Sequence, residues 1–143
     1  MSRLKVYLVE DSPVITENLS ATLEDLADAD VIGSSATVAE AIIDLTRADN
    51  DWQLAIVDIF LREGSGLDVL SACRDRDAAR RMVVLSNYAT PEVRRRCREL
   101  GADAIFDKST ELEALVAYCC AATVGDAVDA ANRPGRVNRS GDA

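Results

Sequence analysis

A chain of 143 residues with 48% apolar side chains is long enough to bury one core without disulfides or a structural metal. Its formal charge of -9, from 25 acids against 16 bases, has the wrong sign for general nucleic-acid binding, where Lys and Arg must neutralise phosphates. Histidine is absent, which excludes Ser-His-Asp and Cys-His catalysis, histidine metal ligands and phosphohistidine chemistry on this chain.

Leu4 to Val9 (LKVYLV) reads as a buried strand. Ser12 is placed to cap a helix and Pro13 fits its first turn; Ile15, Leu19, Leu23 and Leu26 follow at near-helical spacing. Val31 to Ser35 predicts a weaker second strand. Thr37 with Glu40 matches a capping box, and Val38, Ala41, Ile42 and Leu45 give the second helix its apolar face. The segment Trp52 to Phe60 contains the strongest strand, Leu54 to Val57, which ends at Asp58. After a loop with two glycines, Arg62 to Gly66, a third helix is predicted over Leu67 to Arg74. Met82 to Leu85 is a fourth strand that stops at Ser86. Thr90-Pro91 opens a helix through Leu100, and Gly101 ends it. Ala104 to Phe106 is a short fifth strand. Thr110 with Glu113 predicts a last capping box, with Leu112, Leu115, Val116 and Cys119 inward.

Five strands alternating with five helices predict an α/β, doubly wound, five-stranded parallel sheet covered on both faces. Residues 1–122 complete it. Residues 123–143, mostly Ala, Gly, Asp, Asn and Arg with three acids and three arginines, have little to bury and are expected to be a disordered tail. No run approaches the roughly 18 apolar residues of a membrane span. The N-terminus lacks the pattern of a signal peptide, so a cytoplasmic location is expected. Cys73, Cys97, Cys119 and Cys120 form no CxxC pair, and read as reduced packing residues.

In an open parallel sheet, ligands bind beyond the carboxyl ends of the strands. The first strand ends in Glu10-Asp11, the third in Asp58, the fourth in Ser86 and the fifth in Asp107-Lys108. Carboxylates gathered there repel one another unless a cation joins them, and hard oxygen donors suit Mg2+ or Mn2+. A lysine and a hydroxyl opposite the metal suit a phosphoryl group. A central carboxylate can itself be the nucleophile and form an acyl phosphate, chemistry that needs positioning and charge neutralisation and no histidine.

Together these segments resemble the receiver domain of response regulators, the phosphoacceptor module of two-component signalling, in a stand-alone form. The resemblance covers about 120 of the 143 residues and rests on VEDSP, IVDIFLREGSGLDVL, VVLSNYA and GADAIFDK. It implies a flavodoxin-like strand order 2-1-3-4-5 with five helices, the order of chemotaxis receivers. It implies that Asp58 accepts the phosphoryl group from a histidine kinase or phosphotransfer protein. It also implies that Asp11 and Asp58 ligate Mg2+, with Glu10 acting directly or through water and the backbone carbonyl of Phe60 as a third protein ligand. Ser86 and Lys108 would bond the phosphoryl or carboxylate oxygens. Three positions depart from the family pattern: Ile105 stands where an aromatic is usual, Ser109 where Pro usually follows the lysine, and Asn87 where Ala or Gly follows the hydroxyl. The nearby aromatic, Phe106, falls on the opposite strand face.

A haloacid-dehalogenase-type phosphatase would want an Asp two residues after the nucleophile, where this chain has Phe60. A flavin-binding module would want a phosphate loop where Glu10-Asp11 stands. A degenerate receiver acting as an unphosphorylated scaffold would lack some of the five site residues, all of which are present. Residues 80–98 hold six arginines (Arg80, Arg81, Arg94, Arg95, Arg96, Arg98), with Glu92 among them, so the fourth helix is a candidate docking face for an acidic partner or a second copy. No motif for direct nucleic-acid recognition is found.

Overall fold

The computed structural model describes residues 3–132, the last ten by backbone alone. Ten elements alternate: β1 Leu4–Val9, α1 Pro13–Leu26, β2 Ala29–Ser35, α2 Val38–Leu45, β3 Leu54–Val57, α3 Gly66–Ala72, β4 Arg81–Ser86, α4 Pro91–Glu99, β5 Ala104–Asp107 and α5 Leu112–Asn132. The five strands form one parallel sheet in the order β2-β1-β3-β4-β5. No helix among the described residues is long and apolar enough to cross a membrane.

The period of two along each strand divides the core into two layers. Tyr7, Val9, Ala55, Val57, Met82, Val84 and Ile105 pack with α2, α3 and α4, through Ala41, Leu45, Val69, Leu70 and Cys97. Leu4, Val6, Leu8, Leu54, Ile56, Val83 and Leu85 face α1 and α5, through Leu19, Leu23, Leu115 and Cys119. All four residues of β3 are buried, as expected of a central strand covered by helices on both sides. Ile105 and Phe106 fall on opposite faces as their adjacent places require: Ile105 is buried in the first layer, and Phe106 meets Tyr118 of α5 edge-on at 5.8 Å in the second.

Several helix starts follow the sequence reading. Ser12 accepts from the Ile15 amide, Thr37 from Glu40 and Thr90 from Val93. Gly101 has φ +99°, the left-handed conformation that ends a helix at least cost. Other details differ. Leu26, which shares the apolar spacing of α1, is 64% exposed as the last residue of that helix. β2 begins at Ala29, and an irregularity shifts its register against β1 between Val6 and Tyr7. α3 ends at Ala72 and not at Arg74, with Cys73 as its cap. The opening of α5 is built around Asp107 and not around a Thr110–Glu113 box: Asp107 Oδ1 accepts from the Ser109 and Thr110 amides at 2.9 and 3.2 Å and from the Ser109 hydroxyl at 2.6 Å. α5 also runs past the expected boundary at residue 122 to Asn132. The rest of the expected tail, 133–143, lies outside the described residues.

Candidate functional site

β1 and β3 are adjacent and in register, Val9 opposite Val57, so the residues that follow them emerge side by side. The Asp58 amide donates to the Val9 carbonyl at 2.9 Å, and the Glu10 amide to the Ser35 carbonyl of β2 at 3.0 Å. These bonds fix the backbones of Glu10 and Asp58 as extensions of the ladder. The carboxylates of Glu10, Asp11 and Asp58 then converge, each offering an oxygen within 4.8 Å of the others. Glu10 and Asp58 are only 7% and 6% exposed, while Asp11 sits half-buried at the mouth.

Lys108 reaches into this cluster from the end of β5. Its ammonium donates to Glu10 Oε1 at 2.8 Å and to Asp58 Oδ2 at 3.0 Å. Three carboxylates against one ammonium leave two negative charges in excess in a largely buried space. Burial pushes the Glu10 carboxyl above its ordinary range, with the Asp58 charge adding to it, although Lys108 and the Ser12 amide pull the other way. Burial alone would depress the Lys108 ammonium, but its hydrogen bonds to Glu10 and Asp58 prevail and hold its pKa above the ordinary value. Hard oxygen donors carrying this excess charge fit a divalent cation such as Mg2+.

The loops brace the carboxylates from outside. The Phe60 amide donates to Asp58 Oδ1 at 3.2 Å, the Ser12 amide to Glu10 Oε2 at 3.0 Å, and the Arg62 amide to Asp11 Oδ2. The β3–α3 loop folds back so closely that a Cβ at Gly66 would sit 2.2 Å from the Asp58 carbonyl oxygen, and the Gly66 amide donates to the Ile59 carbonyl at 2.9 Å. Gly64, at φ +95°, supplies the left-handed turn. Ser86 ends β4 fully buried; its Oγ accepts from the Tyr88 amide at 3.1 Å and its carbonyl from the Lys108 amide at 2.8 Å. Phe60 and Tyr88 are 52% and 63% exposed, and their rings meet edge-on at 5.2 Å.

The structure thus brings Glu10, Asp11, Asp58 and Lys108 together and sets Ser86 at the neighbouring strand end. Asp107, the other acid of the fifth strand end, stays with its own loop, outside the acidic cluster. The arginine face is smaller than the sequence suggests. Arg94 is turned inward and bonded, Arg95 pairs with Glu99 at 3.4 Å, and Arg80 lies 4.9 Å over the Trp52 ring. Arg96 and Arg98 are exposed and form no ion pair among the described residues. Sequence reasoning missed that the Arg62 amide holds Asp11 and that Arg94, counted there with the docking face, is turned inward; a backbone donor and an arginine among arginines carry no spacing signal. The two glycines of the loop were visible, but not that Gly66 touches Asp58.

A family model described as the response regulator receiver domain matches residues 6–119. The chain belongs to the response regulator receiver family. A curated relative, the DNA-binding transcriptional activator DevR/DosR of Mycobacterium tuberculosis, is 30% identical over 89 residues, covering 62% of this chain and 40% of that protein. The chain therefore matches well under half of the length of that relative. Among solved structures, a CheY-like response regulator receiver domain protein of Methanospirillum hungatei JF-1 is 22% identical with a TM-score of 0.72, covering 94% of this chain and all, 100%, of the other. The CheX-CheY-BeF3-Mg+2 complex of Borrelia burgdorferi gives 21% identity and a TM-score of 0.71, covering 85% of this chain and 89% of that one. These structural likenesses bear on the fold.

Proposed function

We propose that this receiver domain accepts a phosphoryl group on Asp58, in a reaction that depends on Mg2+, from a histidine kinase or a histidine phosphotransfer protein. The observation that carries this reading is the Lys108 ammonium held between Glu10 and Asp58 in a buried cluster with excess negative charge. Such a centre is poised for a cation, and for a phosphoryl group whose charge the ammonium can meet.

Asp11 and Asp58 would hold the metal, with Glu10 direct or through water and the Phe60 carbonyl completing the protein ligands. When bound, the ion supplies charge neutralisation for phosphoryl oxygens. An Asp58 carboxylate oxygen attacks the phosphorus of the donor. The new P–O bond makes an acyl phosphate, and the donor's P–N bond breaks with its electron pair leaving on the imidazole. Lys108 stays paired with the developing charge. Ser86, whose Oγ accepts from the Tyr88 amide, donates its own hydroxyl proton to the transferred group as its loop closes on it. The acquired charge thus shifts the chain between two conformations, and output leaves by protein contact.

Intact-mass measurement with acetyl phosphate and Mg2+ tests the assignment. Wild-type protein should gain one phosphoryl mass and Asp58→Asn none. Equal labelling of the variant would remove Asp58 from the role, and an unlabelled wild type would favour the scaffold alternative.

A further inference from the structure

Arg94 lies in α4, on a helix whose arginines look in sequence like one solvated face. Its guanidinium does something else. Nε donates to the Ala89 carbonyl at 2.9 Å, Nη1 to the Ile105 carbonyl at 3.1 Å and Nη2 to Glu111 Oε1 at 2.8 Å. The same Glu111 oxygen accepts from the Asp107 amide at 2.8 Å. The acceptors belong to three separate segments: the β4–α4 loop, β5, and the turn that opens α5. Guanidinium donors form a rigid planar fork, so bonds to three segments fix their mutual positions in a way that a lysine could not. The Arg94 side chain is 27% exposed, against 65% for its neighbour Arg95.

These segments carry the reactive groups. Ser86 begins the loop that contains Ala89, and Lys108 lies between Ile105 and Glu111. One direct bond, from the Lys108 amide to the Ser86 carbonyl at 2.8 Å, already joins the two strand ends. Arg94 joins them a second time, on the far side of the loop. Ile105 is buried and its side chain offers no polar atom, so the strand is gripped through its backbone carbonyl.

We propose that Arg94 is a positioning residue: it holds the loop of Ser86 and the loop of Lys108 in one register and transmits a displacement of the first to β5 and the start of α5. This deepens, and rests on, the phosphoacceptor reading of Asp58. Ser86 Oγ accepts from the Tyr88 amide and keeps its own proton to donate; as that hydroxyl is drawn to a transferred phosphoryl group, the Tyr88 amide and the loop through Ala89 are drawn with it. The Ala89 carbonyl then pulls on the Arg94 fork, which either carries Ile105 and Glu111 along or lets go of them. Either result changes the surface formed by α4, β5 and the start of α5.

Amide exchange with and without beryllofluoride and Mg2+ reads this directly. In wild-type protein, protection should change over both 86–90 and 105–111. In Arg94→Ala the first change should persist and the second should shrink to Lys108, whose amide keeps its own bond to Ser86, with labelling by acetyl phosphate slowed about tenfold, the effect of roughly one charge-assisted hydrogen bond. Glu111→Ala leaves the Arg94 bonds to Ala89 and Ile105 in place, so it should dampen the change over 107–111 and keep it over 105–106. Glu111→Gln, which keeps an acceptor oxygen, should restore the response, and exposed Arg96→Ala should leave it intact. If Arg94→Ala lacks a cooperative melt, Arg94→Lys, which keeps the charge and the stem without the fork, decides in its place. A folded, beryllofluoride-bound Arg94→Ala or Arg94→Lys protein with the full wild-type response over 105–111 would overturn the role of Arg94 and leave the Asp58 reading standing. A wild-type protein that takes up neither acetyl phosphate nor beryllofluoride would overturn both.

Discussion

Asp58 is held by more than its place in the sequence. Its amide is in the sheet ladder, one carboxylate oxygen takes the Phe60 amide and the other the Lys108 ammonium. Gly66 is the residue on which this arrangement turns. A methyl group there would overlap the Asp58 carbonyl, and backbone on backbone has no rotamer by which to escape. Gly66→Ala should therefore lower stability by about 1–3 kcal/mol, the usual range for overpacking, and should slow labelling of Asp58 as well. Urea unfolding together with acetyl phosphate labelling checks this. A variant unaltered in both would mean that the loop has room to relax. Cys119 shows the reverse case of a residue with chemistry it does not use: burial pushes its thiol up to about 12, so it packs the core as an inert side chain.

Among the elements, α1 ties local sequence most directly to the site. Ser12 caps it through the Ile15 amide at 3.3 Å, and the Ser12 amide also donates to Glu10 Oε2. The cap therefore sets where the helix starts, and with it the path of Glu10 and Asp11. Ser12→Ala should cost about 1 kcal/mol of stability, seen as a lower urea midpoint with unchanged slope. The amide bond to Glu10 survives the substitution, so Mg2+ affinity should change little; a large loss of affinity would mean that the hydroxyl serves the acidic cluster itself. On the opposite end of the sheet, Trp52 Nε1 donates to the Leu45 carbonyl at 2.9 Å and fastens α2 to the entry of β3. That bond stabilises the frame and lies at the end away from the carboxylates.

At the scale of the whole molecule, the fold concentrates unfavourable charge at one end of its sheet, and a ligand can recover that free energy. Mg2+ at about ten times its dissociation constant should stabilise the protein by ~1.4 kcal/mol, a rise of a few degrees in Tm. The sign with pH follows from Glu10. Its folded-state carboxyl lies above its ordinary value because of burial, so without metal its ionisation works against folding as pH rises through the carboxylate range. As pH falls through that raised value the carboxyl is protonated, charge leaves the cluster, and the stabilisation by Mg2+ should shrink. Thermal melts at neutral and acidic pH, with and without Mg2+, check this. Asp11→Asn should lose most of the shift at neutral pH, and a full shift in that variant would place the ion elsewhere.

The alternation of five apolar runs with five amphipathic stretches was legible in the residues, because burial on both faces of a parallel sheet leaves continuous runs such as Leu54–Val57, and helices leave their period of 3.6. The strand-end acids Glu10, Asp11 and Asp58, with Ser86 and Lys108, were legible for the same reason: strand ends are read from where the runs stop. The strand order came with the resemblance to receiver domains, since apolar runs alone do not say which strand lies beside which. Tertiary structure alone decided which of the strand-end groups meet. It put the Lys108 ammonium between Glu10 and Asp58, and left Asp107 to its own turn. It also singled out Arg94 among the chemically identical arginines of α4, because its guanidinium alone in that helix meets acceptors from the β4–α4 loop, β5 and the start of α5. Such contacts depend on backbone atoms brought together across the fold, and backbone atoms are the same at every position of a sequence.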